Sequence, residues 1–437
     1  MKKLIGLLIL ISLLSMVFLI VKDFKAIELN KGYYLAQSYF FLIFFIFSTI
    51  VFFSNKNIQI YFILILGSII CAFYSFEFYL FKSGGIKFFT TGKDHWQNDI
   101  VFHKKEIKKK NAFSPFSLIN ESLISFSGLS NVKVVHCKES DFFSVYDSDR
   151  YGFNNPDHVW DRHIDLVILG DSFIHGNCVN KGDDITSQVR KIGNLNAINL
   201  GWSNTGTLKQ YARFLEYIEN YPNYIFWVYY ENDLDDLKKE LNHKLLKNYL
   251  LDEDFRQNLR SEEKRMEIDK LILEKHFNYM KESHIIDTRV KSYSNFINFL
   301  KLYKTRQVLL SFFKNITFNK NNQNSSYYDN LLNEYFFIFD KLKKRADKNN
   351  SKIVFVYLPA FKYYFSNKAK YFKNIKFKLI EKMNKENVGI IDIEKKLNEK
   401  FILPVHLYAK HSFGQHFNEE GYKFVAENII EYLSNKD

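Results

Sequence analysis

Apolar positions follow two patterns along this chain. Up to Phe81 they form long runs, Leu4–Val21, Tyr33–Phe53 and Ile58–Leu80, interrupted only by scattered small or polar residues. Each is about as long as the ~20 residues needed to cross the hydrocarbon core of a bilayer, so three transmembrane helices are expected in an anchor over residues 1–81. After about Ile164 the apolar stretches shorten to Asp165–Leu169, Asn196–Leu200, Tyr224–Tyr230, Lys352–Leu358 and Val388–Ile391. Short continuous runs of this kind are strands of a sheet covered on both faces. Between and after them lie stretches with helical spacing, Leu208–Asn220, Leu331–Asn349, Asn374–Glu386 and Glu419–Leu433. Strands alternating with helices predict an α/β fold with a mainly parallel sheet. The segment from Leu234 to about Asn330 fits no strand, and apolar positions such as Ile268, Leu271 and Ile272 mark it as a helical insertion.

The first apolar run follows Lys2 and Lys3, as a signal peptide would, but Lys22, Asp23 and Phe24 replace the small-residue cleavage pattern, so an uncleaved anchor is expected. Three crossings from a cytoplasmic start would leave the rest of the chain outside the cell. The flanking lysines oppose this: Lys2, Lys3 and Lys56 would be inside, against Lys22, Lys25, Lys31, Lys82, Lys87 and Lys93 outside. The first helix outweighs that count, because long translocated domains obey the charge rule poorly. Glu77, late in the third run, is expected to snorkel or to be packed.

The chain has 437 residues, enough for two or three structural units. Its aromatic content of 18% excludes disordered and low-complexity classes, which lack the apolar surface that offsets ordering entropy. The formal charge of +13 raises nucleic-acid binding, yet only 10 of the 61 basic residues are Arg. Bidentate phosphate and guanine recognition favours Arg, so the excess reads as a Lys-rich solvated surface and no nucleic-acid partner is expected. The basic run Lys104–Lys110 is such a face, or one that rests on anionic headgroups. Three Cys allow one disulfide; Cys71 lies in a membrane run, which leaves Cys137 with Cys178 if the domain is exported. His175, Cys178, His136 and Cys137 lack the paired spacing of a zinc site, and no metal is expected.

Candidate chemistry gathers at strand ends. The first strand runs into Gly170-Asp171-Ser172-Phe173, which puts a hydroxyl on the turn into a helix at the sheet's C-terminal edge. The second runs into Asn199-Leu200-Gly201-Trp202-Ser203-Asn204-Thr205-Gly206, and the third into Glu231-Asn232-Asp233. His416-Phe417-Asn418 precedes the last helix. Each also has a plainer, less favoured reading: Ser172 as a helix cap, Asn232 as a turn cap and His416 as a loop histidine. Gly-x-Ser-x-Gly, Gly-x-x-x-x-Gly-Lys-[Ser/Thr] and Gly-x-Gly-x-x-Gly are absent, which argues against α/β-hydrolases and the corresponding nucleotide-binding enzymes.

Together these blocks resemble the SGNH/GDSL hydrolase family, whose Ser, Gly, Asn and His come in this chain order. The match runs from about Asp165 to Ile430, with His416 to Gly421 fitting the last block. The stretch Ser148-Asp149-Arg150-Tyr151-Gly152-Phe153-Asn154-Asn155-Pro156 is similar to the lead-in of membrane-anchored bacterial members. The resemblance implies a three-layer α/β/α domain over residues 161–437 with a helical insertion at about 234–330, behind an extracytoplasmic lead-in at 82–160. It implies Ser172 as nucleophile, His416 as general base, and an oxyanion hole from the Ser172 and Asn204 backbone N–H groups and the Asn232 amide. It implies no cofactor, an acyl ester substrate carried by a surface glycan, and a membrane acyltransferase as partner. Esterase and O-acyltransferase stay open, as does a silent domain that binds glycan or partner. Two positions depart from the family: Asn204 replaces Gly, and Phe413 replaces the acid three residues before His416. A backbone carbonyl or an acid from another loop must then orient the imidazole.

Overall fold

The computed structural model describes residues 1–24, 33–82, 93–139, 142–281, 297, 299–303, 305–306, 325–361, 369–401, 404–409 and 416–435. The chain forms two compact units, residues 1–91 with 286–318 and residues 92–285 with 319–437.

The first unit contains α1 (Lys2–Phe24), α2 (Tyr33–Phe53) and α3 (Lys56–Lys82). Lys2–Val21 and Lys56–Leu80 are long and apolar enough to cross a membrane; Ser38–Phe53 is apolar but shorter. By length and composition, therefore, two spans qualify among the described residues where three are expected. Glu77 is packed, its Oε2 accepting the Thr305 backbone N–H at 2.6 Å.

In the second unit, α4 (Lys93–Lys110) leads into an antiparallel ribbon of β1 (Lys133–Val135) and β2 (Val145–Asp147). A five-stranded sheet follows, with β3 (Leu166–Gly170), β4 (Ala197–Gly201), β5 (Tyr224–Tyr229), β6 (Lys352–Tyr357) and β7 (Gly389–Asp392). Its order is β4-β3-β5-β6-β7 and every pair is parallel. The expected strands fall within a residue or so of these.

Alternation along the strands divides the core into two. Val167, Leu169, Ile225, Trp227 and Phe355 pack towards α7 (Thr207–Tyr217), α11 (Ser325–Lys348) and α12 (Ala369–Lys385). Leu166, Ile168, Phe226, Val228 and Val356 pack towards α6 (Ile185–Gly193), α13 (Ile393–Lys400) and α14 (Glu419–Ser434). The result is a three-layer α/β/α arrangement. Burying a Val, Leu, Ile or Phe side chain contributes about 1.5–3 kcal/mol, so strand ends set in this double core are firmly fixed.

The expected insertion contributes α8 (Asp233–Glu240), α9 (Lys244–Leu251) and α10 (Glu262–Lys281); its remainder lies largely outside the described residues. The stretch before β3 is woven into the same core through Leu123, Phe126, Phe153 and Val159. Asp149, fully buried, accepts N–H groups from Tyr151, Phe153, Asn155 and Trp160. Burial pushes its carboxyl up, and those four donors oppose the shift.

Candidate active site

From β3 the chain steps out to β4 on one side and returns to β5 on the other. Ser172 therefore emerges at the switch point, the crevice beyond the carboxyl ends where open parallel sheets bind ligands. It begins the one-turn helix α5 (Ser172–His175), capped by Asp171, whose side chain accepts the Phe173 N–H at 3.0 Å. Burial pushes the Asp171 carboxyl up, with the Phe173 N–H pulling the other way. Gly201 makes this packing possible: a Cβ there would lie 2.2 Å from the His175 backbone nitrogen. The Asn155 amide spans the join, donating to the Asn199 carbonyl at 3.0 Å and accepting the Asn199 N–H at 2.8 Å. Asn154 donates to the His175 carbonyl at 3.0 Å. Asn154 and Asn155 thus clamp the turn that carries Ser172.

His416, 244 positions later, places Nε2 2.8 Å from Ser172 Oγ. Its Nδ1 lies 2.7 Å from Glu139 Oε1, and its backbone N–H donates to Glu139 Oε2 at 3.2 Å. Facing a carboxylate, Nδ1 carries the proton, which leaves Nε2 as the acceptor for the Ser172 hydroxyl. That hydroxyl has a second acceptor, Asp171 Oδ2 at 3.1 Å. Ser172 and His416 are 9% and 8% exposed, at the border between core and solvent. The Phe173 ring lies 5.0 Å from the imidazole.

Glu139 is the residue that reading the sequence misses. The acid is supplied from the ribbon side, and Phe413 itself lies outside the described residues. One signal was available. Cys137 and Cys178 are disulfide-bonded, so a Glu two residues from one Cys is tied near a Ser six residues from the other.

Asn204 and Asn232 follow β4 and β5, the two neighbours of β3, the strand before Ser172. Asn204 has φ +58°, the left-handed region that Asn enters more readily than most residues, and so substitutes conformationally for Gly. Asn232 is the N-cap of α8; its Nδ2 donates to Asp236 Oδ2 at 3.1 Å, while Oδ1 is buried with no hydrogen-bond partner among the described residues. Asp233 accepts the Tyr230 N–H at 3.1 Å and the Gln210 amide at 3.2 Å, which fixes the turn below.

Glu139, Cys178 and His416 bring metal-ligand atom types within 4.8 Å of one another. The sulfur is engaged in the disulfide and is no thiolate ligand in this state. His136 and His175 are buried together with ring centroids 4.4 Å apart. His175 hydrogen-bonds Tyr146 Oη and Ser203 Oγ and stacks on Trp202. Burial pulls the His136 imidazole down to about 3 and His175 well below its ordinary value, so both are neutral packing groups.

No protein-family model matches the sequence, and no curated protein matches it. Among solved structures, the chain is similar to one assigned to the lipolytic G-D-S-L family from Desulfitobacterium hafniense DCB-2. That pair shares 13% identity at a TM-score of 0.32, over 61% of this chain and 98% of the other. A member of the lipolytic G-D-S-L family from Veillonella parvula DSM 2008 gives 12% identity and a TM-score of 0.31, over 61% and 97%. At these values the likeness carries no argument about activity.

Proposed function

We propose that this chain is a membrane-anchored serine esterase or O-acyltransferase that works through an acyl-enzyme on Ser172. The observation that carries the reading is the chain of contacts Glu139–His416–Ser172 at 2.7 and 2.8 Å, a nucleophile, base and orienting acid drawn from three distant segments.

In the first half-reaction Ser172 Oγ attacks the ester carbonyl while its proton passes to His416 Nε2. The imidazolium so formed faces the Glu139 carboxylate, which stabilises it. Negative charge on the carbonyl oxygen falls to the backbone N–H groups of Ser172 and Asn204 and to the Asn232 amide, once that amide turns from Asp236. One such donor is worth about 3–4 kcal/mol in a transition state. The tetrahedral adduct collapses, the alcohol leaves with the His416 proton, and Ser172 carries the acyl group. In the second half His416 deprotonates water, giving an esterase, or a sugar hydroxyl, giving an O-acyltransferase acting on surface polysaccharide beside a membrane acyltransferase that delivers acyl groups.

Two apolar helices support anchoring. The disulfide supports an oxidising, extracytoplasmic location for the second unit, since cytosolic thiols are kept reduced. A silent binding domain would be favoured by a His416 with no acid beside it, and Glu139 stands 2.7 Å from its Nδ1. A fluorophosphonate probe tests the reading: full-length protein in detergent should be labelled, and Ser172→Ala should not. Absence of labelling in a folded wild type would sink it.

A further inference from the structure

We propose that the Cys137–Cys178 disulfide is the positioning element of the Glu139–His416 pair, so that turnover depends on the oxidation state of this bond. The inference rests on the acyl-transfer reading and adds a condition to it.

Glu139 stands two residues past Cys137, a step of at most about 7 Å of backbone, so the bridge sets where the carboxylate can be. The last backbone pairings before Glu139 hold Cys137 as well: Ser144 N–H to the Cys137 carbonyl at 2.9 Å and His136 N–H to the Ser144 carbonyl at 2.9 Å. Across the bridge, Cys178 lies three residues past the end of α5. Asn177 N–H bonds the Ser172 carbonyl at 3.1 Å, and the Asn177 carbonyl accepts Tyr422 Oη of α14 at 3.0 Å. The bond thus joins the acid's segment to the very loop that leaves the nucleophile. Its sulfur lies near the pair it serves, with Cys178 Sγ within 4.8 Å of a Glu139 oxygen and a His416 nitrogen. Cys178 also takes φ +67°, a region that a residue with a side chain enters at a cost and that concentrates at functional sites. A bridge that served only to stabilise the fold would need neither this placement nor the two-residue spacing.

Reduction by a dithiol such as dithiothreitol passes two electrons and two protons to the bond. It yields Cys137 and Cys178 thiols and one cyclic oxidised reductant; oxidised glutathione reverses it. The test is the kcat of full-length protein on an aryl acetate, oxidised and reduced, in wild type and Glu139→Gln, with thiol alkylation confirming each state. Reduced wild type should fall ~10²–10⁴-fold in kcat, to the level of oxidised Glu139→Gln, with KM within about twofold. Reduction of Glu139→Gln should cost nothing more, because the acid is already gone. Unchanged kcat on reduction overturns the proposal, as does an equal further loss in Glu139→Gln. Should reduction unfold the protein, two glycines inserted between Lys138 and Glu139 keep the bridge and break the spacing. A kcat at the Glu139→Gln level then supports the proposal, and a wild-type kcat overturns it. An oxidised wild type without Ser172-dependent labelling defeats the acyl-transfer reading itself, a result distinguishable from all of these.

Discussion

Ser172 grows out of a five-stranded sheet sealed on both faces, whereas Glu139 hangs from a two-stranded ribbon. Among the described residues, the ribbon's own cluster has Ile107, Ala112 and Val135 as its buried members. On the sheet side, Leu166, Val167, Ile168 and Leu169 are all essentially inaccessible to solvent, and the turn beyond them inherits their rigidity. A two-stranded ribbon is marginal by itself. The difference teaches where covalent help is useful: the chain places its one described disulfide at the junction of ribbon and sheet, beside the group whose position the ribbon alone would hold least well.

Four outcomes probe this contrast, and the largest belongs to the sheet side. Ser172→Ala should reduce kcat on an activated ester by ~10⁴–10⁶-fold while leaving thermal unfolding nearly unchanged, since it removes the nucleophile and few contacts. Glu139→Gln should cost ~10²–10⁴-fold in kcat with little change in KM, because the amide no longer selects the right tautomer or stabilises the imidazolium. A loss below about threefold would mean that the ribbon contributes nothing to the chemistry.

Third comes acid stability on the ribbon's inner side. His136 is held to about 3 in the fold against 6.5 in an unfolded chain. The unfolded state therefore binds the proton first. Stability from this group is complete above pH 6.5 and is lost as pH falls towards 3, by about 1.4 kcal/mol per pH unit within that window. His136→Phe should flatten the fall in Tm between pH 7 and pH 4.5. The smallest effect expected is that of Gly201→Ala, whose Cβ meets the backbone of α5 and should cost about 1–3 kcal/mol, read as a lower Tm with slower Ser172 labelling as the turn shifts.

Both the fold class and half of the candidate site are written in local sequence. Runs such as Asp165–Leu169 and Tyr224–Tyr230 are too short for helices and too apolar for a surface, so they read as buried strands wherever they sit in the chain. Ser172 is legible for the same reason: a Ser directly after such a strand must lie at the sheet's edge. The second run reads less well, because Ser38–Phe53 is the part that qualifies as an apolar helix and it is shorter than a span requires.

The sequence by itself determined that a hydroxyl and two Asn-bearing loops share one edge of a parallel sheet, because strand periodicity and chain order are properties of neighbouring residues; only the family resemblance set a histidine beside them. Only the tertiary structure decided which of the chain's 48 acids faces His416, since Glu139 lies 277 positions away and the neighbouring Cys137 marks it only through its bond to Cys178. Its place follows from a ribbon folding back on the loop that follows Ser172, and from a sulfur–sulfur bond between segments 41 residues apart. Contacts of that range depend on the whole fold, and no local pattern encodes them.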